Sequence, residues 1–215
     1  MSRLSRCVGV ALAGMMAWSI PVTAQPPAPV IPAAASRPGT EAVELTLEDQ
    51  FGREQKLSAL QGRVVVLVYG DRKGTDLCRE FGEQLHILFH PTAKGKSPAE
   101  ARRAPVAPLP GLPGNQSSPD VLVVPVACAG NVPTVVQDFI RASIKKAAPE
   151  VVVLLDFAGA MEQRFGLRAG EPNLVVFDTL GRLRYRINGM PDSAVSQKLV
   201  QTIQNLRAEA VQPAP

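Results

Sequence analysis

The chain has 215 residues, 46% hydrophobic and 20% charged, with a formal net charge of +4. That length suits one domain with a sizeable core and excludes a disordered polyelectrolyte, while three Cys exclude a disulfide-dense scaffold and a four-cysteine zinc site. Aromatic residues make up 5%, which argues against a nucleic-acid stacking surface, and 20 Pro point to non-globular stretches.

Arg3 and Arg6 precede an apolar run from Cys7 to Ile20, and Val22-Thr23-Ala24 supplies small residues for cleavage. Residues 1–24 therefore read as a secretory signal peptide. The run is too short to cross a bilayer comfortably, so no stable membrane span is expected after cleavage. Removing it leaves 21 basic residues against 19 acidic ones. Such a nearly neutral chain gives no reason to expect a nucleic-acid partner. Trp18 and Cys7 leave with the signal, so an exported protein, periplasmic or secreted, keeps Cys78 and Cys128 in a compartment where disulfides persist.

Residues 25–42 hold five Pro and no apolar periodicity, which reads as a flexible spacer. Val43 to Leu47 alternates as a half-buried strand, Asp49-Gln50-Phe51-Gly52 reads as a turn, and Leu57 to Leu60 as a short helical link. Arg63 to Tyr69 is a β-branched run suited to a central strand buried on both faces. A polar loop, Gly70 to Gly74, leads into a helix from Thr75 to about Phe89, with Leu77, Phe81, Leu85 and Leu88 along one stripe. Residues 91–119, with seven Pro and the basic Lys94, Lys96, Arg102 and Arg103, read as a solvated insertion loop.

After the insertion, Val121 to Val126 reads as a buried strand, Val132 to Lys146 as an amphipathic helix and Val151 to Leu155 as a strand. A short helix, Ala158 to Phe165, comes next. Strands Leu174 to Phe177 and Arg182 to Ile187 flank the turn Asp178-Thr179-Leu180-Gly181. Ser193 to Leu206 closes the domain as a helix, and residues 208–215 are a tail. Strands alternating with helices before a terminal hairpin predict an α/β fold with a mixed sheet.

The order of strand, Asp-Gln-Phe-Gly turn, "LSALQGRVVVLVYG", loop and helix resembles exported thioredoxin-like proteins of the redoxin class, which includes periplasmic thiol reductases and peroxiredoxins. "VVVLLDFAGAMEQRFGLRAGEPNLVVFDTLGRLRYRINGM" resembles their second half. The resemblance implies a thioredoxin-like three-layer domain over residues 43–207, with the Pro-rich insertion 91–119 after its first main helix. It also implies that Pro172 is a cis-proline opposite the active-site turn. Glu171, Pro172 and Asn173 would then line a groove for an extended protein segment, bound by strand addition.

Laid on that family, Thr75-Asp76-Leu77-Cys78 stands where Cys-x-x-Cys would be. A thiol–disulfide cycle needs one sulfur to attack and a second to resolve, so the threonine excludes that cycle within the turn. Thr-x-x-Cys is the peroxiredoxin spacing, although the family's Pro four residues before the Thr is Asp71 here. The resemblance then implies an antioxidant, thiol-dependent oxidoreductase with Cys78 as the reacting thiol. Thr75 would orient it and Arg168 would stabilise the thiolate, with Arg164 as second choice. If Thr75 caps the helix, Cys78 lies in the first turn, where free N–H groups favour a thiolate.

Two readings stay open: a reactive Cys78, or a small buried hydrophobe in a non-catalytic binding module that uses the groove. Cys128, at the carboxyl end of a strand parallel to the Val64 to Val68 strand, is expected at the same sheet edge. There it would either resolve an oxidised Cys78 or form a disulfide with it. A thiol electron donor or a partner protein is implied, and no cofactor. His86 and His90 share a helix face, but no further ligand is nominated, so they read as surface residues and no metal is expected.

Overall fold

The computed structural model describes residues 39–112, 117–168 and 170–212, so the signal segment and most of the spacer lie outside it. Seven strands form one mixed sheet: β1 (Thr46–Asp49), β2 (Glu54–Lys56), β3 (Val64–Gly70), β4 (Val121–Cys128), β5 (Leu154–Asp156), β6 (Asn173–Phe177) and β7 (Leu183–Asn188). Their order is β2-β1-β5-β4-β3-β6-β7. The strands β3, β4 and β5 run parallel, while β6 and β7 return antiparallel on the other side of β3. The first strand begins later than its alternation suggests, because Val43 is held by one bond to the Gly181 carbonyl rather than by a neighbouring strand. Likewise Val151 and Val153 meet Gln50 instead of entering β5: the Val151 carbonyl accepts from the Gln50 amide, whose oxygen accepts from the Val153 N–H.

All seven residues of β3 are buried, as its β-branched run requires of a central strand. Its side chains alternate between two cores. Val64, Val66 and Val68 face α1 (Thr75–Phe89) and α5 (Ser193–Glu209), together with Cys78, Leu85, Phe89, Leu199 and Ile203. Val65, Leu67 and Tyr69 face the other way, against Leu47, Val126, Met161, Phe165 and Phe177. Met161 and Phe165 belong to α4 (Ala160–Phe165), whose first N–H groups are capped by the buried Asp156 carboxylate. The remaining long helix, α3 (Thr134–Ala147), buries none of its residues and is tied down through Arg141, which pairs with Glu48 and lies over the Phe157 ring.

The buried stripe of α1 is Cys78, Leu85 and Phe89, whereas Leu77 and Leu88 are about half exposed. The helix is thus rotated from the orientation its leucines suggest. Gly82 lies on the sheet-facing side, where a β-carbon would make ordinary contact with Val123 and Val68 at 3.7 and 3.8 Å.

The described part of the Pro-rich insertion is mostly exposed, as expected of a solvated segment, but it is not without structure. It holds a short helix, α2 (Pro98–Ala101), opened by a Ser97/Glu100 capping box. Ala93, Ala104 and Leu109 are buried beneath it. Arg207 of α5, with no exposed surface, donates to the Ala107 and Pro119 carbonyls at 2.6 and 2.8 Å, so one guanidinium ties both arms of the insertion. The two histidines also work here rather than on the surface. Their rings stack at 4.3 Å, His90 meets the Asp120 carboxylate at 2.9 Å, and His86 meets the Ala101 carbonyl at 3.1 Å.

Candidate functional site

The chain leaves β3 at Gly70 and turns through Asp71 into α1. Asp71 builds the turn: its carboxylate accepts from the N–H groups of Lys73 and Gly74 at 2.9 and 3.1 Å. Its carbonyl accepts from the Thr75 hydroxyl at 2.9 Å. Thr75 therefore does not cap the helix; Gly74 holds that position, and the hydroxyl turns back toward the loop. Cys78 falls one residue deeper than a Thr75 cap would put it, and its N–H already donates to the Gly74 carbonyl at 2.9 Å.

The Cys78 thiol points into the core rather than toward the turn. Only 8% of the residue is exposed, and the sulfur donates to the Tyr69 carbonyl at 3.7 Å. A β-carbon built on Gly70 would stand 2.5 Å from Sγ, so the sulfur fills the space that a side chain at residue 70 would take. Burial, and then the negative charge of Asp71, push the thiol up to about 11. Both effects disfavour the thiolate, the form that reacts.

Cys128 does not join this thiol, and both cysteines are free. Parallel pairing does bring the two strand ends to one sheet edge, with Gly70 opposite Ala127. Cys128, however, follows Val124 and Val126 on the sheet face that Tyr69 shares, while Cys78 packs with Val66 and Val68 on the opposite face. The sheet lies between the two sulfurs. Sharing an edge is not sharing a face, and the expected disulfide or resolving pair is not formed.

Pro172 does stand opposite the turn: a β-carbon on Gly74 would be 3.6 Å from the proline N and Cδ. Its peptide bond is trans, since no cis bond occurs among the described residues. The loop around it is closed on itself. The Asn173 side chain accepts from the Arg168 N–H and donates to the carbonyls of Arg168 and Glu171, at 2.7–3.0 Å. The Pro172 carbonyl accepts from the Gly189 N–H at 2.9 Å. The Glu171 and Pro172 carbonyls thus each accept one bond from within the protein, and the Asn173 side chain is buried. The Arg168 guanidinium lies 3.8 Å from the Glu171 carboxylate, with both side chains about half exposed.

No family model and no curated protein matches the chain. Among solved structures it is similar to the pneumococcal exposed lipoprotein thioredoxin of Streptococcus pneumoniae, at 15% identity over 74% of this chain and 98% of that one, TM-score 0.47. It is also similar to a DsbF homologue from Corynebacterium diphtheriae, at 15% identity over 84% and 96% of the two chains, TM-score 0.46. A secreted thiol-disulfide isomerase from Corynebacterium glutamicum matches at 13% identity over 78% and 85%, TM-score 0.45. The fold is thioredoxin-like. That assignment rests on the strand order and on the helices covering both faces; at these identities and scores nothing of the neighbours' chemistry passes to this chain.

Within this thioredoxin-like frame, the residues that sequence reasoning overlooked are Tyr69 and Arg207. In the sequence Tyr69 is only the end of a buried strand, yet its hydroxyl is buried without a hydrogen-bond partner. Its period-two placement with Cys128 across the β3–β4 pair was the available signal. Arg207 falls just past the Ser193 to Leu206 helix that the sequence predicts, and no local signal marks its burial.

Proposed function

We propose that this chain is an exported thioredoxin-fold binding protein that runs no thiol–disulfide or peroxidase cycle at the Thr75–Cys78 turn. The observation that carries the reading is the Cys78 sulfur itself, buried above Gly70 with its thiolate disfavoured. A nucleophile needs access and ionisation, and this group has neither. Thr75 has no sulfur to offer, and Arg168 stands half-exposed beside Glu171, 3.8 Å from its carboxylate.

Partner recognition then falls to side chains rather than to strand addition. Leu77, three residues after Gly74, and Met190, next to Gly189 whose N–H bonds the Pro172 carbonyl, are both exposed, and Arg72 and Lys73 are exposed in the turn before Gly74. This ridge suits a polypeptide partner with an apolar anchor. Export is supported by the sequence of residues 1–24, and no helix among the described residues is long and apolar enough to cross a membrane.

The decisive experiment is turnover by the reduced protein of a model protein disulfide and of hydrogen peroxide, beside Cys78→Ala. Rates that are the same in the two proteins are expected; turnover that falls in Cys78→Ala overturns the reading. For the binding half, a photo-crosslinking residue at position 77 should give a discrete covalent adduct in the native host. The same residue at Gln201 on α5 should not, and adducts at neither or both positions reject the ridge. A mature N-terminus at Gln25 tests export.

A further inference from the structure

We propose that Cys128, on the sheet face away from the Thr75–Cys78 turn, is a site of reversible oxidation by hydroperoxides, with Tyr69 positioned to hold the oxidised sulfur. Tyr69 is 1% exposed, and its hydroxyl has no hydrogen-bond partner. Buried polar atoms are nearly always paired, so an orphan hydroxyl calls for an explanation. It lies on β3 opposite Val126, and Cys128 follows two residues later on the same face of β4. Burial first, then the adjacent Cys128 sulfur, and then the charges of Asp156 and Glu162 keep the phenol protonated and therefore a donor; the neutral thiol lies close enough to act on the hydroxyl without meeting it in hydrogen-bond geometry.

Asp156 does not take that donor: its carboxylate accepts from the N–H groups of Ala160 and Met161 at 2.9 Å, and the Tyr69 hydroxyl makes no bond to it. Cys128 is free and partly exposed at the strand end, whereas Cys78 is buried. The structure thus pairs one reachable thiol with one unused, buried hydrogen-bond donor. A neutral thiol is a weak acceptor, while a thiolate or a sulfenate oxygen is a strong one. Oxidation would give the Tyr69 hydroxyl the partner it lacks.

The chemistry balances with a hydroperoxide as the named oxidant. The Cys128 thiol loses its proton to solvent, and the thiolate attacks the terminal peroxide oxygen. An S–O bond forms as the O–O bond breaks. Sulfur is oxidised by two electrons to the sulfenic acid, and the peroxide is reduced to water or an alcohol, its leaving oxygen taking a proton from solvent. A small thiol then condenses with the sulfenic acid, releasing water and leaving a mixed disulfide that a second thiol reduces.

The test uses the full chain carrying Cys7→Ser, treated with hydrogen peroxide in the presence of a 1,3-dione sulfenic-acid probe and mapped by peptide mass. One adduct is expected, on Cys128, and none in Cys128→Ser. Loss of a hydrogen bond to a charged sulfur should slow labelling about tenfold in Tyr69→Phe. That variant removes only an unpaired hydroxyl, so its melting temperature should not fall. Labelling on Cys78, no labelling at all, or an unchanged rate in a folded Tyr69→Phe overturns the proposal.

Discussion

The sulfur of Cys78 occupies the place where the side chain of Gly70 would be, 2.5 Å from an ideal β-carbon. One residue ends the central strand and the other lies in the first turns of the helix that covers it, so the contact fixes how closely α1 approaches the sheet. Gly70→Ala should cost roughly 1–3 kcal/mol, the usual penalty for overpacking a core. Combining it with Cys78→Ala should recover most of that loss. A double-mutant cycle by chemical denaturation reads the coupling, and additive losses would show that the contact is not the cause.

Cys78 should react sluggishly with thiol reagents. With its thiol pushed up to about 11, the thiolate fraction at neutral pH is roughly 100-fold below that of an ordinary cysteine, before any loss of access. Stopped-flow reaction with an aromatic disulfide in Cys7→Ser/Cys128→Ser should therefore give a slow phase that speeds up only at high pH or in denaturant. A rapid phase at pH 7 would contradict the buried placement.

Stability should fall on mild acidification through His86. Burial first, and then the neighbouring His90, hold its imidazole below the ordinary histidine range, against the opposing hydrogen bond to Ala101. A group that binds protons more weakly folded than unfolded contributes stability above its unfolded value of about 6.5, lost as pH falls through the lower folded value. Melting temperature should thus drop from pH 7 to pH 5. His86→Gln should flatten that slope, and an unchanged slope would assign it to another group.

Asp120 acts in a different window. The hydrogen bond from His90 is the main reason its carboxyl sits below the usual range. Its contribution therefore persists down to about pH 4 and is lost below that. Asp120→Asn should cost about 1–3 kcal/mol at neutral pH, because it leaves the buried His90 ring without its charged partner. Equilibrium unfolding at pH 7 measures it, and a loss that persists unchanged in a His90→Gln background would show that the pair is not responsible.

The sheet was largely legible in the sequence because its signals are local. Val64 to Tyr69 is an unbroken β-branched run, and Asp178 to Gly181 supplies the turn between β6 and β7. Asp178 behaves as a turn former, accepting from the N–H groups of Leu180 and Arg182. The orientation of α1 was not legible. Leu77, Phe81, Leu85 and Leu88 form a plausible stripe, but the buried face carries Cys78 over Gly70, a close approach that depends on a sheet assembled from distant segments. The same limit hid the relation of the two cysteines, since periodicity gives each strand's face only relative to itself. The loop at Pro172 failed for a further reason. Asn173 satisfies its own loop's carbonyls, and that pattern of side-chain bonds leaves no compositional trace.

Arg207 has one more consequence, for how this chain tolerates change. Its guanidinium gathers Ala107 and Pro119 at one point of α5, so the closure of that excursion is set by a single side chain and not by the excursion's own length. Doubling the chain between those two anchors costs only about 0.6 kcal/mol of closure entropy. Segments of quite different length and composition can therefore be exchanged there while the seven-stranded scaffold stays as it is, provided the arginine and its two carbonyls are kept.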